Sequence, residues 1–208
     1  MRSILLAIVG LLLGVLVVGI YSWWTQPLVR PLREGDTFLY AERRGRVRVR
    51  VLRDNPLMLG VQPEGTARIP EMRLRLKWGP AFLELLEVEM RREPGNCELR
   101  RGEKGRGFLL FPWRRVLRFP GQYGLHFICR DGRALAVVQW GEAGEEMLSV
   151  GRTRVRARIY EVRVRSFAEG EEGRLRLWLA PEIGFLARIR GETPERAFAL
   201  ELVTWEKG

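Results

Sequence analysis

The chain has 208 residues and carries a net charge of +11 at neutral pH, from 36 Lys and Arg against 25 Asp and Glu. Arginine supplies nearly all of the positive charge, since lysine occurs only at Lys77, Lys104 and Lys207, and amides are scarce, with Asn55 and Asn96 the only asparagines. One histidine and two cysteines outside any Cys-x-x-Cys pattern argue against a zinc centre and leave little for imidazole catalysis. Abundant ion-pairing residues with few amides suit a thermophile, although a GC-rich genome gives the same arginine bias.

Residues 4 to 20, ILLAIVGLLLGVLVVGI, hold no charged side chain, and Tyr21, Trp23 and Trp24 follow at once. At ~1.5 Å per residue such a run gives about 25 Å of helix, close to the hydrocarbon core of a bilayer. Tyr and Trp favour the headgroup layer. The run is longer than a secretory h-region, no good small-residue cleavage site follows it, and no Cys follows to take a lipid. The expectation is a transmembrane signal anchor over 1–24, a linker over 25–35 and an extracytoplasmic domain over 36–208, placed at the inner or cytoplasmic membrane as a single-pass protein. Gly10 and Gly14 have a spacing that permits close helix approach, without requiring it.

Pro27 and Pro31 forbid helix in TQPLVRPLREG and favour extended backbone. Period-two alternation then runs through almost the whole chain, the signature of strands. Val47, Val49 and Val51 alternate with Arg46, Arg48 and Arg50; Met72, Leu74, Leu76 and Trp78 alternate with Arg73, Arg75 and Lys77. FLELLEVEM, after Gly79-Pro80, reads as a returning hairpin strand, with a helix as the alternative. Between Cys97 and Asp131 the pattern weakens. Gly102, Gly105 and Gly107 mark a basic loop, and Pro112 and Pro120 interrupt an aromatic-rich stretch suited to edge strands or a loop.

From Arg152 to Ser166, Val155, Ala157 and Ile159 occupy odd positions and Val162 and Val164 even ones. The flip predicts a bulge or bend near Tyr160. Leu175, Leu177 and Leu179 begin another strand, Ala180-Pro181-Glu182-Ile183-Gly184 turns it, Phe185 to Arg190 returns, and residues 197 to 205 make a last strand. The fold class is therefore all-β, a mainly antiparallel, curved or half-barrel sheet, preceded by one transmembrane helix. Each strand has one apolar and one Arg-rich face, as when one side of a sheet is covered.

Cys97 and Cys129 would enclose about 30 residues, and outside the cytoplasm a bond between them would add roughly 3–4 kcal/mol in the chain-entropy picture. Two buried thiols are the alternative.

Two stretches carry a family resemblance. Pro31-Leu32-Arg33-Glu34-Gly35-Asp36-Thr37-Phe38-Leu39-Tyr40 resembles the Pro-Leu-x-x-Gly-x-x-Trp-x-Tyr motif near the start of many uncharacterised exported bacterial envelope proteins, with Phe38 in place of Trp. Leu177-Trp178-Leu179-Ala180-Pro181-Glu182-Ile183-Gly184-Phe185-Leu186-Ala187-Arg188 resembles their Trp-Tyr-Ala-Pro-Gly-Val-Gly hairpin, with Leu179 and Glu182 departing from it. The resemblance spans about thirty residues and leaves the centre unmatched. It implies an extracytoplasmic fold of one curved antiparallel sheet; members of this broad type are mostly unassigned in activity, and some exported curved-sheet proteins of similar look carry lipids or sense lipoproteins. It also implies a structural hairpin, with Pro181 and Gly184 shaping the turn and Trp178 packing. It supplies no catalytic residue.

No constellation for catalysis emerges, and no catalytic, metal or cofactor residue is assigned. His126 lies among Leu125, Phe127 and Ile128, as a half-buried strand histidine does. Ser3, Ser22, Ser149 and Ser166 lack a nucleophile-elbow setting. Glu142, Glu145 and Glu146, like Glu169, Glu171 and Glu172, lie among glycines and read as solvated turns. The arginine stripes Arg46, Arg48, Arg50 and Arg154, Arg156, Arg158 are candidates for anionic contacts, because guanidinium forks bind phosphate and carboxylate. A solvated face paired with Glu is the plainer reading. The expected function is a membrane-anchored, non-catalytic envelope module that binds a protein partner or anionic lipid headgroups. A lipid or acyl-chain carrier and an envelope hydrolase are alternatives, and nucleic acid is disfavoured.

Overall fold

The computed structural model describes residues 29–67, 69–78, 82–90, 97–101, 105–106, 108–112, 122–129, 132–166, 172–193 and 197–208. The anchor expected at 1–24, with Tyr21, Trp23 and Trp24, lies outside the described residues. Among the described residues no helix is long and apolar enough to cross a membrane.

Among the described residues the alternation seen in the sequence becomes fourteen strands: β1 Thr37–Glu42, β2 Gly45–Asp54, β3 Leu57–Gly65, β4 Met72–Trp78, β5 Phe82–Met90, β6 Cys97–Arg101, β7 Gly105–Arg106, β8 Phe108–Pro112, β9 Gln122–Cys129, β10 Gly132–Val150, β11 Thr153–Ser166, β12 Glu172–Ala180, β13 Phe185–Glu192 and β14 Ala197–Glu206. FLELLEVEM returns against β4 as a strand, from Trp78↔Leu83 to Met72↔Met90. All fourteen belong to one sheet, in the order β7-β6-β9-β10-β11-β12-β13-β14-β1-β2-β3-β4-β5-β8. The first described strand lies between β14 and β2, so both ends of the domain sit mid-sheet.

A further pairing, Glu87↔Glu98 and Val88↔Cys97, joins β5 to β6. Strands from opposite ends of the order thus meet, which requires the sheet to curl round on itself. The junction is a fork. β5 pairs with β6 at residues 87–88, while its Phe82–Leu85 end pairs with β8. β6 reaches β7 at Arg100 and Arg101. The twisted sheet encloses a single apolar cluster drawn from both sides of the curl, including Phe38, Val49, Leu59, Leu76, Leu83, Leu125, Val138, Val162 and Leu179. Val47, Val49 and Val51 are buried, and Arg46, Arg48 and Arg50 between them are exposed, as period two demands.

Two expectations shift. The extra residue near Tyr160 belongs to the partner strand: register slips between Glu142 and Gly144 of β10, opposite Tyr160 and Ile159. Gly144 takes φ +127°, a conformation open to glycine at little cost. The linker expected over 25–35 is extended but docked from residue 29, with Val29 and Leu32 buried in the core.

Candidate functional site

The two stretches that carry the resemblance meet in space. The Arg30 amide donates to the Pro181 carbonyl at 3.0 Å, and Arg30 Nη1 to the Ile183 carbonyl at 3.2 Å. Gly184 has φ +85°, and a Cβ there would stand 2.2 Å from the Arg30 carbonyl oxygen, so the turn must carry glycine. The Ile183 and Gly184 amides close the turn onto the Ala180 carbonyl. Phe38 packs on Phe185 with ring centroids 5.0 Å apart. The buried Tyr40 hydroxyl donates to the Leu186 carbonyl at 2.7 Å, and burial pushes its ionisation far above the usual tyrosine range, so it remains a donor.

Asp36 is the centre of this clasp. It is fully buried and accepts hydrogen bonds from Arg30 Nη2 at 2.9 Å, the Arg33 amide at 2.9 Å and the Gly208 amide at 3.0 Å. Burial pushes its pKa upward, but the bonds from Arg33, Arg30 and Gly208 outweigh that and hold it below the ordinary carboxylate value.

Beyond the β10 bulge the β10–β11 hairpin crosses β12 towards β14. Glu146 accepts the Trp178 Nε1–H bond at 2.7 Å and one from Arg188 Nη1 at 3.2 Å, and Gly151 abuts the Val203 carbonyl. Leu177–Ala180 and Phe185–Ala187 are therefore covered on both faces, which explains their unbroken burial. Glu142, Glu145 and Glu146 belong to a long strand rather than to a solvated turn. Trp178 is buried, with the guanidinium carbons of Arg176, Arg188 and Arg190 at 5.9, 5.3 and 5.6 Å from its ring centroid. Arg188 also pairs with Glu201 at 3.1 Å.

Next to this cluster, on β11, β12 and β13, lies an open groove of about 360 Å³ to which Arg163, Arg174, Arg176, Arg190, Glu161 and Glu192 contribute. Register sets two rows. Glu161 faces Arg176, which faces Arg190; Arg163 faces Arg174, which faces Glu192. Two arginine pairs are thus directly opposed, an arrangement that weakens a sheet. Glu161 holds Arg176 through its Nε at 2.9 Å, and Glu201 lies 3.8 Å from Arg190. The side chains of Arg174, Arg176 and Arg190 remain more than half exposed. Stacking on Trp178 and pairing with Glu fix two of the forks, and their outer N–H groups stay in reach of an anion.

The residues singled out from sequence are dispersed. Arg46, Arg48 and Arg50 lie on β2, with Arg48 paired to Glu64 at 2.8 Å. Arg154, Arg156 and Arg158 lie on the outer side of the folded-over hairpin, with Arg158 3.8 Å from Glu145. In the order of the sheet β12, β13, β14 and β1 lie between β11 and β2. His126 is half-buried on β9, opposite Leu135 and Arg100. Cys97 and Cys129 are opposite each other across β6 and β9. Among the described residues no group of three metal-ligating side chains comes together.

No family model matches the sequence, and no curated protein matches it. Among solved structures, an exported protein with a YmcC-like fold from Bacteroides fragilis is similar at a TM-score of 0.51 and 14% identity, over 88% of this chain and 100% of that one. A hypothetical lipoprotein, YmcC from Escherichia coli, gives a TM-score of 0.45 and 14% identity over 92% of this chain and 96% of its own. The Bacteroides protein shares the fold, one long antiparallel sheet.

Proposed function

We propose that the protein is a membrane-tethered extracytoplasmic module, without catalysis, that holds an acidic segment of a neighbouring envelope protein in the arginine groove of β11–β13. The observation that carries this reading is the set of opposed pairs Arg163↔Arg174 and Arg176↔Arg190, like charges that weaken the ladder and that single contacts from Glu172, Glu161 and Glu201 answer only in part. Glu161 and Glu192 make the groove mixed rather than uniformly positive, which suits a protein surface better than a lipid one. The apolar run at 4–20 supports the tether, and an exported protein with the same fold fits that setting.

The test is fluorescence anisotropy of a labelled Asp/Glu-rich peptide with the full chain in detergent, beside flotation with anionic vesicles. The expected result is peptide binding that weakens with salt and falls at least tenfold in an Arg163→Glu/Arg174→Glu variant, with no change in Arg46→Glu. Peptide binding indifferent to the groove variant overturns the proposal, as does vesicle binding that alone depends on the groove.

A further inference from the structure

The closure of the curled sheet is thin. β5 and β6 share two residue pairs, and the β6–β9 ladder that continues the sheet spans only Cys97↔Cys129 to Arg101↔Leu125. Cys97 stands at the crossing of both contacts, facing Val88 on one side and Cys129 on the other. Directly opposed residues of an antiparallel pair share a face and have Cα atoms about 4.5–5.5 Å apart, whichever hydrogen-bonding class they belong to. A disulfide needs roughly 4.4–6.8 Å. Adjacency across the ladder thus meets the backbone requirement of a bond without any strand movement, a condition that two cysteines 32 positions apart in sequence rarely satisfy by accident.

We infer that Cys97 and Cys129 form a redox latch that locks β6 onto β9 and so fastens the junction where β5 and β6 close the sheet. In the oxidation both S–H bonds break and one S–S bond forms. Two protons and two electrons pass to an external disulfide oxidant, which leaves as a dithiol. The ring closed by the bond contains β6, β7, β8 and β9. The crosslink therefore ties the fork strands to the main sheet, and its reduction loosens that region first, leaving β11–β13 in place. The inference rests on the extracytoplasmic placement for its oxidant but not for its geometry.

Three measurements on the full chain test it. Intact mass and peptide mapping after denaturing alkylation, on protein isolated without reductant, should find no free thiol and a 97–129 crosslink; reduction should then expose two thiols. Reduction, or Cys97→Ser with Cys129→Ser, should raise hydrogen exchange at least tenfold in β5, β6 and β9, leave β11–β13 unchanged, and lower Tm by roughly 10 °C. Protease treatment of intact spheroplasts separates the latch from the placement. If the domain is digested and both thiols are nevertheless free, the latch is overturned. If the domain is protected, the placement fails, and the latch is judged on reduced protein oxidised in a glutathione buffer: an intramolecular bond upholds it, glutathione adducts at both positions overturn it. Intermolecular dimers linked through either cysteine also overturn it.

Discussion

The clasp and the groove are both built from charged side chains, and they use them in opposite ways. In the clasp, Asp36 is buried with three donors on its carboxylate, and Arg30 ties it to the turn that Gly184 makes possible. In the groove, arginines are exposed, opposed to one another and only partly answered by Glu161, Glu172 and Glu201. Satisfied buried charge fixes geometry, because removing one partner strands the other in a low dielectric. Exposed charge with like neighbours contributes little to the fold and stays available for a ligand. The first region should therefore be sensitive in stability and the second in binding.

The sharpest way to break that contrast is Asp36→Ala. It leaves the Arg30 guanidinium and two amides without their acceptor, and the expected loss is about 3 kcal/mol, seen as a Tm lower by roughly 10 °C in calorimetry. A wild-type Tm in this variant would remove the clasp from the account. Gly184→Ala is next. Its Cβ meets the Arg30 carbonyl and its φ is left-handed, so a loss of roughly 2 kcal/mol is expected in urea unfolding, with the effect confined to the 29–36 and 181–184 contact.

Acid titration sharpens the same point. The folded pKa of Asp36 is depressed, so its contribution is complete above the unfolded carboxylate value and is lost as pH falls through the folded one. Melts of Asp36→Asn should lack this part of the acid limb and match the wild-type slope near neutrality. Tyr40→Phe deletes only the bond to the Leu186 carbonyl, for about 1–2 kcal/mol in chemical denaturation. The smallest effect belongs to the groove. Arg163→Glu replaces a like pair opposite Arg174 by an unlike one, with the neutral Gln139 on its other side, and should stabilise by about 0.2–1 kcal/mol while it impairs peptide binding. A large destabilisation there would mean that the groove serves the fold instead.

Much of the local structure is legible in the residues. Val47, Val49 and Val51 set the buried face of β2, and Leu175–Ala180 with Phe185–Arg190 give the hairpin. The groove is not legible, because register is a pairing property. Counting back from the turn, where Ala180 faces Phe185, pairs Arg176 with Ile189; the slip between Trp178 and Leu179 moves its neighbour to Arg190 and puts both guanidinium groups on one face. The bulge opposite Tyr160 is hidden for a related reason: a parity flip in one strand does not say which strand holds the extra residue. Glu146 reads as a turn residue among glycines, and only the folded-over hairpin brings it to Trp178 and Arg188.

By itself, the sequence determined that this chain is built of strands, β2 and β4 among them with one apolar and one basic face, because side-chain alternation is a two-residue property that needs no partner. Tertiary structure alone decided that residues 29–40 lock onto the 177–188 hairpin, that four arginines from three strands share a groove, and that Cys97 faces Cys129. Each of those depends on which strands lie side by side and in what register. That choice is made by burying one shared core under a curled sheet, where a slip of one residue exchanges the inner face for the outer.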